Sequence, residues 1–145
     1  MSSRPQSVAL FEIAYLLSMA LGLVATYLTR RETIAQAEAI PGYEGWGLWL
    51  LIWSVAFWTL VNVTLWYLTA QRRSNAGRWM IAGLALANAY DFLTFFAMGQ
   101  IGWHLGGALY AIPYAISLVA LWFLFQPDSS RWFNDEPPAD PEVFR

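Results

Sequence analysis

Inside its apolar runs the chain carries a carboxyl, phenols, amides and hydroxyls at spacings that could bring them together. Asp91 lies near the middle of the run Trp79 to Met98. An acid at the centre of a membrane-spanning helix costs about 2.5 to 3.5 kcal/mol on insertion scales, so it normally faces a bundle interior or a wet cavity and has partners. Asn88 stands three residues earlier, on the same helical face. In the next run Tyr110, Tyr114 and Ser117 follow at spacings of four and three, again one face. At helical rise Asp91, Ser54 and Tyr110 reach similar depths, roughly 10 to 12 Å from one side. The expected arrangement is a single polar layer in which Asp91 and Asn88 face Tyr110, Tyr114 and Ser54. A carboxyl that takes and releases a proton there is what a proton-coupled carrier needs; a merely tolerated acid would occupy the same place. Pro113, among these residues, can free a helical carbonyl that neighbouring groups must then satisfy.

Glu12 is a different case. It lies only about 6 to 8 Å inside one end of the first run, where it can reach headgroups or water. Asn62 lies about 12 Å from the same side, and a Glu12–Asn62 contact would be structural glue worth about 0.6 kcal/mol. His104 reads as a boundary residue, although one His per chain would suffice to ligate a haem or pigment in an assembly. No cofactor is assigned. Gly83 and Ala87, with Ala85 and Ala89, form small-residue ladders suited to close helix contact, within the chain or with another subunit. With no Cys and a single His, thiol catalysis and His- or Cys-cluster metal sites are excluded. No HExxH, Gly-rich phosphate loop, GxSxG or paired catalytic acids occur. Neither an enzyme nor a nucleic-acid partner is expected.

These groups need elements to hold them. The chain has 145 residues, 58% hydrophobic and 12% charged, with mean hydropathy +0.41. Soluble domains carry about 25% charged residues, so this chain could not cover its surface with polar groups in water. Four apolar runs, Val8–Thr29, Trp46–Ala70, Trp79–Met98 and Trp103–Phe125, each have the roughly 20 residues that cross about 30 Å of hydrocarbon. The first is too long for a signal-peptide core and reads as a retained anchor. The segment after it (RRETIAQAEAI) is expected to begin as helix and to stop at Pro41-Gly42. From Pro127 onward the composition turns acidic and proline-rich, and residues 127–145 are expected to form a mobile tail without a core.

Every basic residue is Arg. Four spans place Arg4, Arg72, Arg73, Arg78, Arg131 and Arg145 on one side and only Arg30 and Arg31 on the other, so the positive-inside rule puts both termini in the cytoplasm. Trp46, Trp49 and Trp103 then mark the outer boundary, and Trp66, Trp79, Trp122 and Trp132 the inner one, as an aromatic belt. Trp53 and Trp58 lie deeper. The expected fold is all-α, a four-helix transmembrane bundle over residues 1–126.

The segments RPQSVALFEIAYLLSMALGL, RRSNAGRW and FLFQPDSSRWF resemble those of small four-span bacterial inner-membrane proteins, typical of alphaproteobacteria, that have no assigned activity. The resemblance covers about a third of the chain. It implies a bacterial cytoplasmic membrane with both termini inside, and it transfers no functional residue. A Glu in the first span also invites comparison with the small multidrug resistance exporters. The helix around Glu12 is otherwise unlike theirs, and that family is not adopted. Two functions fit: an accessory or assembly subunit of a larger membrane complex, touching lipid and other subunits or copies of itself, or a small carrier or channel with Asp91 as its titrating group.

Overall fold

Apolar runs this long leave the backbone one way to satisfy its own polar groups in lipid, the α-helix. The computed structural model describes residues 4–97 and 105–134, with Asp91, Phe95, Phe96 and residues 105–108 as backbone only. Five α-helices follow in order: α1 (Gln6–Glu38), α2 (Gly47–Trp66), α3 (Asn75–Ala97), α4 (Leu105–Leu124) and α5 (Pro127–Phe133). A π-helical turn, Tyr67–Gln71, closes α2, and no strand occurs among the described residues.

The first helix starts after Pro5, whose extended backbone cannot continue a helix backwards. It runs 33 residues, about 50 Å at helical rise, well beyond a hydrocarbon core of about 30 Å. Past Thr29 the Ala, Glu, Gln and Arg of its last turns are strong helix formers, so the helix outlasts the apolar run. The turn after it uses Gly42 at φ +90°, a conformation open to glycine.

Among the described residues two helical stretches, Gln6–Glu38 and Gly47–Gln71, are long and apolar enough to cross a membrane. Leu109–Leu124 and Pro127–Phe133 add a third if that pair, bent by 67°, counts as one broken span.

Packing is uneven along the bundle. α1 is the central helix, lying along α4 and against α2. The buried core gathers at one end, where Val8 and Phe11 of α1 meet Leu65, Ile81, Ala120, Leu124, Trp132 and Phe133. Here the structure corrects the expectation of a coreless tail from Pro127. Residues 127–133 form a helix with Pro at its start and Asp128 in its first turn, and bury Ser129, Trp132 and Phe133. Trp132 is thus a core residue rather than part of an interfacial belt. Ser7 Oγ donates to Asp128 Oδ2 at 2.7 Å and lies 2.6 Å from Ser129 Oγ, tying the start of α1 to α5. Residues 135–145 lie outside the described residues.

Candidate functional site

Toward the other end the four long helices part around a cavity of about 480 Å³. Each helix gives it one face at helical spacing. α1 contributes Tyr15, Ser18, Gly22, Thr26 and Thr33; α2 contributes Leu51, Ser54, Trp58, Thr59 and Asn62. α3 supplies Ile81, Leu84, Ala85 and Asn88, and α4 supplies Tyr110, Pro113, Tyr114 and Ser117. Ser54, Asn88, Tyr110 and Tyr114, grouped on spacing alone, therefore border one space. Asn62, expected from its depth to meet Glu12, borders it too. The side chain of Asp91 lies outside the described residues, as does the whole of His104; the Asp91 backbone sits one helical turn beyond Asn88 in α3.

The lining is neutral and hydrogen-bonded. Among its described residues no side chain is charged. Tyr15 donates to Asn62 Oδ1 at 2.8 Å, and Asn62 Nδ2 donates to the Trp58 carbonyl at 2.7 Å. Ser18 donates to the Pro113 carbonyl at 2.7 Å, so α4 runs through its proline with a hydroxyl of α1 against it. Thr29 gives its single proton to the Ala25 carbonyl, which makes Tyr110 the donor in their 2.5 Å contact. The Tyr114 ring stacks on Phe92, centroids 5.4 Å apart and planes 15° from parallel. Hydrogen bonds thus hold Tyr15 and Tyr110 and ring stacking holds Tyr114, while Ser54, Asn88 and Tyr110 stay exposed.

The α1 hydroxyls were legible but unused. Tyr15, Ser18, Thr26, Thr29 and Thr33 recur at three, eight, three and four residues, a polar stripe on one face of α1. Along α1 the lining spans Tyr15 to Thr33, about 27 Å at helical rise.

Glu12 stands apart from the cavity, and the expected Glu12–Asn62 contact does not form. Its Oε1 accepts from Trp66 Nε1 at 3.1 Å and from Gln71 Nε2 at 3.2 Å, and its Oε2 pairs with Arg4. Asn62 is taken by Tyr15 instead, and Trp66, one turn further along α2, is what reaches the acid. A carboxylate with three donors is a structural pin. The small-residue ladder also divides. Ala85 is buried, whereas Gly83 and Ala87 are exposed, and a methyl at Gly83 would meet nothing within 4 Å. Among the described residues, Gly83 and Ala87 are left on the surface of α3.

No protein-family model, curated protein or solved structure matches this chain. The geometry of the cavity is therefore the ground for assigning a function.

Proposed function

We propose that this chain is a small multipass membrane carrier or channel whose path is the neutral cavity between α1, α2, α3 and α4, with Asp91 as its titrating group. The bundle would cross a bacterial cytoplasmic membrane four times with both termini inside. One observation carries the reading: four helices turn hydroxyl, phenol and amide groups toward one cavity while Ser54, Asn88 and Tyr110 among them remain exposed. Ser54 and Asn88 lie about 10 and 14 Å from the nearer ends of their helices. A polar group left to lipid at that depth costs several kcal/mol, so a wet path is the economical explanation. Asp91, one turn from Asn88, would gate proton movement at the outer end of that path. The test is flux in proteoliposomes under an imposed pH gradient. Asp91→Asn is expected to abolish the pH-dependent flux while the protein still folds; full flux in the variant would remove Asp91 from the mechanism.

The accessory-subunit reading rests on a different observation. α2 turns Trp53, Phe57 and Leu60 outward, at 70%, 58% and 66% exposure, and α3 turns out Gly83 and Ala87. Faces this aromatic and this small suit helices of another subunit as well as lipid. Extraction from native membranes in mild detergent, with the particle's mass and composition, decides it. Co-migrating subunits that are lost in Ala87→Leu would favour assembly; a particle of this chain alone would leave the carrier reading in possession.

A further inference from the structure

Where α2 ends and α3 begins, opposite the cavity, the fold buries a guanidinium. Arg78 is 6% exposed, and among the described residues no carboxylate pairs with it. Its Nη2 donates to Ser130 Oγ at 2.9 Å. Its guanidinium carbon stands 4.1 Å from the Phe125 ring centroid and 5.4 Å from that of Phe133. Arginine does not give up its proton in proteins, and ring faces return only part of the cost of burying such a charge. Nε, the neighbour of Nη2 on the same edge of the fork, is buried without a partner. Two more buried groups at this end share that condition: Thr69 Oγ1 from the π-turn, which is wholly buried, and Trp132 Nε1 from α5. Thr69 Oγ1 lies against Gly77, the residue before Arg78, and Trp132 packs edge-on against Phe133. All three orphans are hydrogen-bond donors, with Arg72 and Arg73 in the adjoining turn. Of the three only Arg78 carries a charge, and its buried, unpaired Nε calls for an anion.

We infer that the Nε–Nη2 edge of Arg78 binds a phosphate group. Two parallel N–H groups match two phosphate oxygens, and basic residues at the end of a spanning helix are where lipid headgroups reside. Ser130 now takes one of the two N–H positions. It belongs to α5, a seven-residue helix joined to α4 across Phe125–Gln126 at a 67° bend, so α5 is the part that shifts when the anion enters. The phosphate comes either from an anionic lipid or from free inorganic phosphate.

Thermal unfolding of the full chain, read by tryptophan fluorescence in neutral maltoside micelles, tests this. Phosphatidylglycerol, phosphatidylcholine and inorganic phosphate are titrated separately. A saturable rise in midpoint with phosphatidylglycerol alone supports a lipid site; an equal rise with inorganic phosphate supports a free-phosphate site. In either case Arg78→Gln should weaken the apparent affinity by about tenfold or more, the worth of a charge-assisted pair of hydrogen bonds. Should Arg78→Gln fail to fold, Ser130→Ala, which frees the Nη2 position, should tighten binding. Arg72→Gln alters only an exposed arginine and should weaken it less. No stabilisation by any probe, an unchanged affinity in whichever of Arg78→Gln and Ser130→Ala folds, or an equal effect of Arg72→Gln would overturn the assignment.

Discussion

Gly77→Ala puts one methyl group where the bundle's tight end has no room for it. A Cβ there would stand 2.7 Å from Thr69 Oγ1 and 3.4 Å from both Leu68 Cβ and the Thr69 backbone nitrogen. Thr69 is wholly buried, and a β-branched side chain has few rotamers to retreat into. Overpacking of this kind costs about 1 to 3 kcal/mol. Against that, replacing a helical glycine by alanine returns about 0.5 to 1 kcal/mol. The steric term wins, and a net loss of about 1 to 2 kcal/mol is expected. Thr69→Ala should rescue it, because the deleted hydroxyl has no hydrogen-bond partner to lose and its removal opens the space the methyl needs. Thr69→Val keeps both branches on Cβ and should not rescue. The assay is the thermal unfolding midpoint in detergent, where a chain of this size shifts by roughly 4 °C per kcal/mol. Native stability in Gly77→Ala, or rescue by valine equal to rescue by alanine, would refute the reasoning.

Three further outcomes are expected. At Asp128 burial pushes the carboxyl upward, but hydrogen bonds from the Ser7 hydroxyl and from the backbone at Ser129, Ser7 and Asp128 outweigh it and hold the group below its usual value of 3.8. A lowered acid contributes stability above its unfolded value and loses it as pH falls through the folded one, so the docking of α5 should weaken from about pH 4 downward. Hydrogen exchange of α5 amides should show that loss in the native chain and not in Asp128→Asn. Tyr15→Phe removes the donor to Asn62 and should cost about 0.6 to 1.7 kcal/mol; a double-mutant cycle with Asn62→Leu that shows no coupling would contradict the pairing. Gly83→Ala meets open space and should stabilise the isolated protein by about 0.5 to 1 kcal/mol. A drop in its unfolding midpoint in detergent would mean that the α3 surface is not free.

The helices were legible because membrane-length apolar runs have few other ways to satisfy their backbones, and the extension of α1 past Thr29 could be read from its Ala- and Glu-rich composition. α5 was missed by averaging. Residues 134–145 dominate the composition of the tail, and they hid a start signal at Gln126-Pro127-Asp128, with Pro in the first turn and an acid beside it. For Glu12 the expected partner was an amide within reach by depth, Asn62. Depth along a helix does not give azimuth, and the indole of Trp66 lay on the right side while Asn62 did not. The cavity was half visible. Spacing grouped Asn88, Tyr110 and Tyr114, yet the hydroxyl stripe of α1 went unread because Ser and Thr are common in apolar helices and their faces mean little until the neighbouring helices are known.

The pairing of α1 with α4 also says something about how the protein is made. Ser18 meets Pro113, Thr29 meets Tyr110, and Ser7 meets Asp128, across separations of 95, 81 and 121 residues. The ribosome delivers the first helix long before its main partner exists. α1 must therefore wait in the bilayer while some seventy residues are synthesised and inserted, roughly 4 to 14 s at about 5 to 20 residues per second. During that interval its polar stripe faces lipid or borrowed neighbours, and closure falls to the last segments to emerge. Chains cut short before α4 should then be recognised as orphans by quality-control proteases.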